Sequence, residues 1–206
     1  AMGAKFMNFG GLGRWWAGAL ILLLALASGA PALPAPEPAQ ALRIRDMLVV
    51  EKNGQLLVFA SLDDPFSSPE LLEAMQSGVT TRFTYEIGLV RTRRIIYDNE
   101  VVSRRVVHQV KYDALKKAYT FTVLREPDES IQRVTQSREE MADWMREING
   151  VPIAPVRDLD PQSQYYLRLR ARVNSVDFAF PFNYILAFMG RKTDWAYSPA
   201  FGPKGM

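Results

Sequence analysis

Arginine alternates with apolar residues in the stretch YYLRLRARVNS. Arg168, Arg170 and Arg172 are two residues apart, so in an extended chain their side chains project from one face. Basic residues that could bind an anion, a phospholipid headgroup or a partner protein are Arg91, Arg93, Arg94, Arg104, Arg105, Arg168, Arg170 and Arg172. We favour a simpler interpretation, a solvated sheet face whose arginines pair across strands with acids such as Glu86 and Glu100.

Candidates for catalysis are few. The chain has one histidine, His108, and no cysteine, which excludes thiolate catalysis, disulfides, zinc–cysteine sites and iron–sulfur clusters. One histidine cannot build a multi-histidine metal site, and no serine has the G-x-S-x-G context of a nucleophile elbow. Because His108 alternates with Val106 and Val110 in a strand-like stretch, we expect it to be structural.

Neighbouring carboxylates occur at Asp63-Asp64, at Glu139-Glu140 and on both sides of Leu159. Paired acids can hydrolyse glycosides, and D-x-D can open a calcium loop. The first pair precedes a proline, as in turns, and the D-x-D lacks the glycine and distal glutamate of an EF-hand. We therefore predict a non-enzymatic protein with no catalytic residue, cofactor or metal; a hydrolase with paired carboxylates ranks third among the hypotheses.

Composition is that of a folded protein without a polycationic surface. Of 206 residues, 48% are hydrophobic and 23% charged, which is enough to build a core. The formal net charge is only +3, so nothing in the overall charge favours nucleic acid as a partner.

Residues 1–41 differ in composition from the rest of the chain. Lys5 and Arg14 precede an uncharged apolar run at residues 15–30, and a Pro/Ala tract follows. This pattern predicts a hydrophobic helix that is either a cleaved signal peptide or a membrane anchor with a Pro/Ala linker. Both alternatives place residues 42–206, as a single β-rich exported domain, in the periplasm or otherwise outside the cytoplasm.

Capping and turn signals predict two short helices and a hairpin. Asn53-Gly54 between apolar runs indicates a tight hairpin. Ser67 or Ser68 followed by Pro69 predicts a helix at residues 69–76. A second helix begins with the capping box of Ser137 and Glu140, and we expect it to end at Asn149-Gly150.

Alternating apolar residues predict three consecutive strands in an antiparallel meander, in TRFTYEIGLVRTRR, VVSRRVVHQVKYD and KAYTFTVLRE. Residues 97–100 are expected to turn, residues 151–161 to form a Pro-rich link, and FAFPFNYILAFMG a buried loop or helical turn. We predict a mainly β fold of six or seven strands, an antiparallel β-sandwich, immunoglobulin-like in general architecture, with two peripheral helices. A lipocalin-like barrel, or a sheet with helices on one side, is the alternative.

Four local motifs have a familiar order: Ser77-Gly78, the turn at residues 112–115, Phe180-Pro181 and Asp194-Trp195. Residues 43–200 thereby resemble an uncharacterised bacterial family of signal- or anchor-bearing envelope proteins, catalogued only as a domain of unknown function. Members are often encoded near a membrane-bound sensor histidine kinase, so the resemblance implies an accessory role in envelope signalling. It supplies no catalytic residue.

We accordingly expect a binding or accessory module of the cell envelope, with an envelope protein as partner, such as a sensor histidine kinase. Membrane association through residues 15–30 is the anchored form of the same hypothesis. A carrier of a lipid or other apolar ligand is the alternative function, because FAFPFNYILAF lies close in sequence to the arginine row.

Overall fold

The structure is a computed structural model, and it describes residues 42–63, 65–93, 97–125, 129–176 and 191–203. All of these belong to one compact unit, Gln40–Met206. The predicted signal or anchor, the segment FAFPFNYILAFMG and Arg94 lie outside the described residues. Within the described residues, no helix has the length and apolar character needed to cross a bilayer.

The described residues form a mainly β protein with two antiparallel sheets and two α-helices. In chain order the elements are β1 (Ile44–Lys52), β2 (Gln55–Leu62), α1 (Pro69–Gln76), β3 (Thr80–Arg91), β4 (Asn99–Asp113), β5 (Ala118–Arg125), β6 (Glu129–Thr135), α2 (Arg138–Arg146), β7 (Glu147–Pro155), β8 (Tyr165–Val176), β9 (Arg191–Lys192) and β10 (Ala196–Tyr197). The small sheet has the order β1-β2-β7, and the large sheet β10-β8-β3-β4-β5-β6, with β9 paired to β8.

The predicted hairpin and meander are confirmed. Asn53 and Gly54 join β1 to β2 with φ angles of 53° and 76°, the left-handed conformation that a tight hairpin turn requires. β3, β4 and β5 pair in succession as antiparallel neighbours. The predicted turn at residues 97–100 is too long by two residues, because Asn99 and Glu100 already pair with β3.

The first helix occupies the predicted residues, and the second is shorter than predicted. The Ser137 hydroxyl accepts a hydrogen bond from the Glu140 backbone N–H at 3.1 Å, which confirms the predicted cap. The helix ends at Arg146 instead of Asn149-Gly150, because Glu147 is extended and pairs with Ser61 of β2. The first five residues of the expected Pro-rich link, 151–155, therefore belong to a strand, β7.

One buried cluster joins the apolar faces of both sheets and the two helices. At its centre the Met145 carbonyl, in the last turn of α2, accepts a 2.7 Å hydrogen bond from the Tyr85 hydroxyl. His108 Nδ1 lies 3.1 Å from the same oxygen, so that nitrogen carries the proton. Burial lowers the pKa of His108 to about 4 and raises that of Tyr85. His108 is thus a neutral residue that fixes the helix to the sheet, in line with its expected structural role.

Candidate functional site

The outer face of the large sheet, opposite the buried cluster, collects basic side chains from four neighbouring strands. Leu167, Leu169 and Ala171 of β8 are fully buried, so the arginines between them project outward. The register places Arg105 of β4 and Lys192 of β9 on the same face, opposite Glu86 and Arg172 respectively. The basic residues of this outer face are Arg82, Arg105, Lys111, Arg168, Arg170, Arg172 and Lys192.

Two glutamates of the outer face pair with the arginine row, as the favoured interpretation predicted. Glu86 accepts from Arg170 Nε at 2.5 Å, and its other oxygen lies 3.9 Å from Arg172 Nη2. Glu100 forms an ion pair with Arg168. These side chains are one quarter to one half exposed, so each pair contributes on the order of 0–1 kcal/mol to stability.

Gly88 makes room for the pair between Arg168 and Glu100. A Cβ atom on Gly88 would lie 2.7 Å from Glu100 Oε2 and 3.2 Å from Arg168 Cγ. A glycine inside a strand allows such a close approach of neighbouring groups to the backbone. The sequence did not single out Gly88, because its neighbours come from strands distant along the chain.

Trp195 covers part of the arginine row. Its ring centroid is 4.6 Å from the Arg168 guanidinium carbon and 4.5 Å from that of Arg170, within the range of cation–π attraction. A shallow concavity of about 330 Å³ lies here, between Trp195, the two glutamates and Arg105. The arginine row is therefore held in place by acids and an aromatic ring.

The pairing leaves the outer face strongly positive. Along its strands, seven basic side chains stand against three acidic ones, Glu86, Glu100 and Asp113, an excess of four that exceeds the +3 of the whole chain. Within the described residues, the exposed side chains of Arg105, Lys111 and Lys192 form no ion pair. These three are the cations best placed to meet an anionic partner.

Of the remaining predicted basic residues, Arg91 and Arg104 do not join this face, and Arg94 lies outside the described residues. Arg91 lies 3.8 Å from Asp160 at the end of β3, and the Arg93 backbone N–H donates to Asp98. Arg104 projects opposite to Arg105, and it lines an open cleft of about 630 Å³ between the ends of the two sheets. Sequence reasoning treated Arg104 and Arg105 as one patch, although alternation along a strand separates them.

Four contributors to the outer face were not predicted: Arg82, Lys111, Lys192 and Trp195. Arg82 and Lys111 follow from strand periodicity, because they alternate with buried residues of β3 and β4. Lys192 and Trp195 arrive through the pairing of β9 and β10 with β8, for which the local sequence has no signal. No group of three or more acids and histidines within the described residues could hold a metal ion.

These observations define a mainly β protein whose large sheet has a buried aromatic face and a basic outer face. The chain belongs to the family described as a domain of unknown function (DUF4390), whose match covers residues 39–200. No curated protein and no solved structure matches it. The family membership confirms the resemblance to a family catalogued as a domain of unknown function.

Proposed function

We propose that the protein is a non-enzymatic binding module of the cell envelope, which docks an acidic surface of a partner protein on the outer face of the large sheet. The observation that carries the proposal is the excess of four positive charges along one sheet face. Complementary charge steers association and fixes the orientation of partners. In this proposal the two sheets are layers of a sandwich, immunoglobulin-like in general architecture, placed outside the cytoplasm by residues 1–41.

The arrangement supports a binding role in a second way. The arginine row is immobilised by Glu86, Glu100 and Trp195, so little side-chain entropy is lost when a partner arrives. Arg105, Lys111 and Lys192 supply the exposed charge around it. An accessory role beside a membrane sensor is the form of this function that the family resemblance implies.

A photo-crosslinking amino acid at Thr84, in the middle of the outer face, tests the proposal in native cells. We expect a defined envelope protein to be captured by the wild-type chain. Capture should be lost in the triple variant Arg105→Gln, Lys111→Gln, Lys192→Gln. The matched control is Arg45→Gln, Lys52→Gln, Arg157→Gln, which removes the same charge from exposed residues elsewhere and should capture normally.

Equal capture by both triple variants would show that the outer face is not the docking surface. If the crosslinker labels anionic phospholipid and no protein, the partner assignment is wrong. A catalytic turnover that depends on the acids of the outer face would refute the non-enzymatic assignment.

A further inference from the structure

The open cleft at the end of the two sheets has one apolar wall and one largely basic wall. β7 of the small sheet supplies one wall, and β4 with β5 of the large sheet supplies the other. The buried side chains of its floor are Val106, Val151, Ile153 and Ala154. These groups face a volume of about 630 Å³, within the 300–1,000 Å³ typical of sites for small organic ligands.

Basic groups stand at the rim of this apolar floor. Arg104, Arg105 and Arg125 line the cleft, and no acidic residue is among its described lining residues. The Arg104 guanidinium is exposed and donates one long hydrogen bond, of 3.4 Å, to the Ser103 carbonyl. The remaining N–H groups of the Arg104 guanidinium can donate hydrogen bonds to a carboxylate, because the planar geometry of arginine matches that of a carboxylate.

A peptide strand fits this cleft less well than a small molecule. β7 is an edge strand of the small sheet, and a strand added there would need hydrogen bonds from its backbone. Pro152 and Pro155 have no backbone N–H, and prolines on an edge oppose strand addition. The cleft therefore offers apolar area and cationic side chains, but few backbone N–H groups that could pair with an added strand.

We infer that the cleft binds a single-chain amphiphile with a carboxylate head, whose head pairs with Arg104 and whose acyl chain lies on the floor formed by β7 and Val106. The cleft adjoins the outer face at Arg105, and the inference does not rest on the proposed docking function. It assigns a location to the carrier alternative that the sequence raised.

Calorimetric titration of the full chain, purified from the cells that make it, compares three probes. Octanoate has both charge and chain, octanol lacks the charge, and butyrate lacks most of the chain. We expect saturable binding of octanoate, with octanol and butyrate each at least about tenfold weaker. Arg104→Gln should weaken octanoate about tenfold and leave octanol unchanged, whereas Arg45→Gln, at the far end of β1, should have no effect.

A photoreactive octanoate, mapped by mass spectrometry, gives a location that is independent of any variant. Labels within residues 104–106 or 151–155 support the inference. Labels elsewhere, equal affinity for octanoate and octanol, or unchanged octanoate affinity in Arg104→Gln would each overturn it. Urea unfolding of Arg104→Gln, an exposed substitution, checks that the variant remains folded, and the comparison of probes on the wild-type chain needs no variant.

Discussion

The two faces of the large sheet are built from the same strands and differ in almost every physical property. On the inner face, Tyr85, His108 and Leu167 are buried and almost inaccessible to solvent. On the outer face, alternate residues of the same strands carry positive charge that three acidic residues only partly balance. The inner face determines the fold through packing, whereas the outer face is the surface on which docking is proposed. Substitutions on the two faces should therefore separate stability from recognition.

The largest difference in the free energy of unfolding is expected between substitutions at two neighbouring residues of β8. Leu167 is fully buried, so Leu167→Ala should reduce the free energy of unfolding by about 2–5 kcal/mol, from lost transfer energy and the cavity left behind. Arg168→Ala, one residue later, should cost no more than about 1 kcal/mol. Urea unfolding measures both. Similar costs for the two substitutions would show that the outer face is structural.

Acidification should weaken the inner face through His108. The pKa of this residue is lowered to about 4 in the folded protein, so the unfolded chain binds the proton first as pH falls below about 6.5. This contribution to stability is complete above that pH and is lost as pH falls toward 4. Between pH 7 and pH 5 we expect a loss of about 2 kcal/mol from this residue.

The control for the pH effect is His108→Phe, which should have a smaller change in unfolding free energy between pH 7 and pH 5. An identical pH dependence in wild type and variant would contradict the assignment of a neutral, buried imidazole.

Removing one buried hydroxyl should have a moderate effect. Tyr85→Phe deletes the 2.7 Å hydrogen bond to the Met145 carbonyl, while His108 still satisfies that oxygen. We expect a loss of about 1 kcal/mol in unfolding free energy. Tyr166→Phe, which removes an exposed hydroxyl bonded to Asp98, is the matched control and should change stability by less than about 0.5 kcal/mol.

The smallest effect on stability is expected at Gly88. Gly88→Ala displaces the Glu100 carboxylate and the middle of the Arg168 side chain, both of which are flexible and can move. The change in unfolding free energy should stay within about 0.5 kcal/mol, and partner capture should decrease. Gly54→Ala, at a φ of 76°, should instead cost about 1 kcal/mol and leave capture unchanged. A reversed order of the two costs would refute this explanation of Gly88.

Local signals predicted much of the fold. Features that depend only on neighbouring residues could be predicted from the sequence. These are the positive φ angles at Asn53-Gly54, the caps at Ser68 and Ser137, and the alternation along β3 and β8. β6 was missed, since ESIQRVT is an edge strand with few buried residues. β7 was missed because Asn149-Gly150 is typical of the end of a helix. Pairing with β2, which the local sequence does not reveal, instead places these two residues inside a strand.

The candidate site was predicted in part, for a related reason. The arginine row and its glutamate partners follow from alternation, so the sequence contained them. Long-range pairing decides which other basic residues stand beside the row. It adds Lys192 and Trp195, which reach the row through the pairing of β9 and β10 with β8.

The most direct test of the proposed docking function is the affinity of the captured partner, measured at two salt concentrations. The triple variant at Arg105, Lys111 and Lys192 should bind at least about tenfold more weakly at low salt, with a reduced dependence on salt, because exposed charges are screened. The control triple variant at Arg45, Lys52 and Arg157 should bind within about twofold of wild type. Equal affinities for the two triple variants would contradict docking on the outer face.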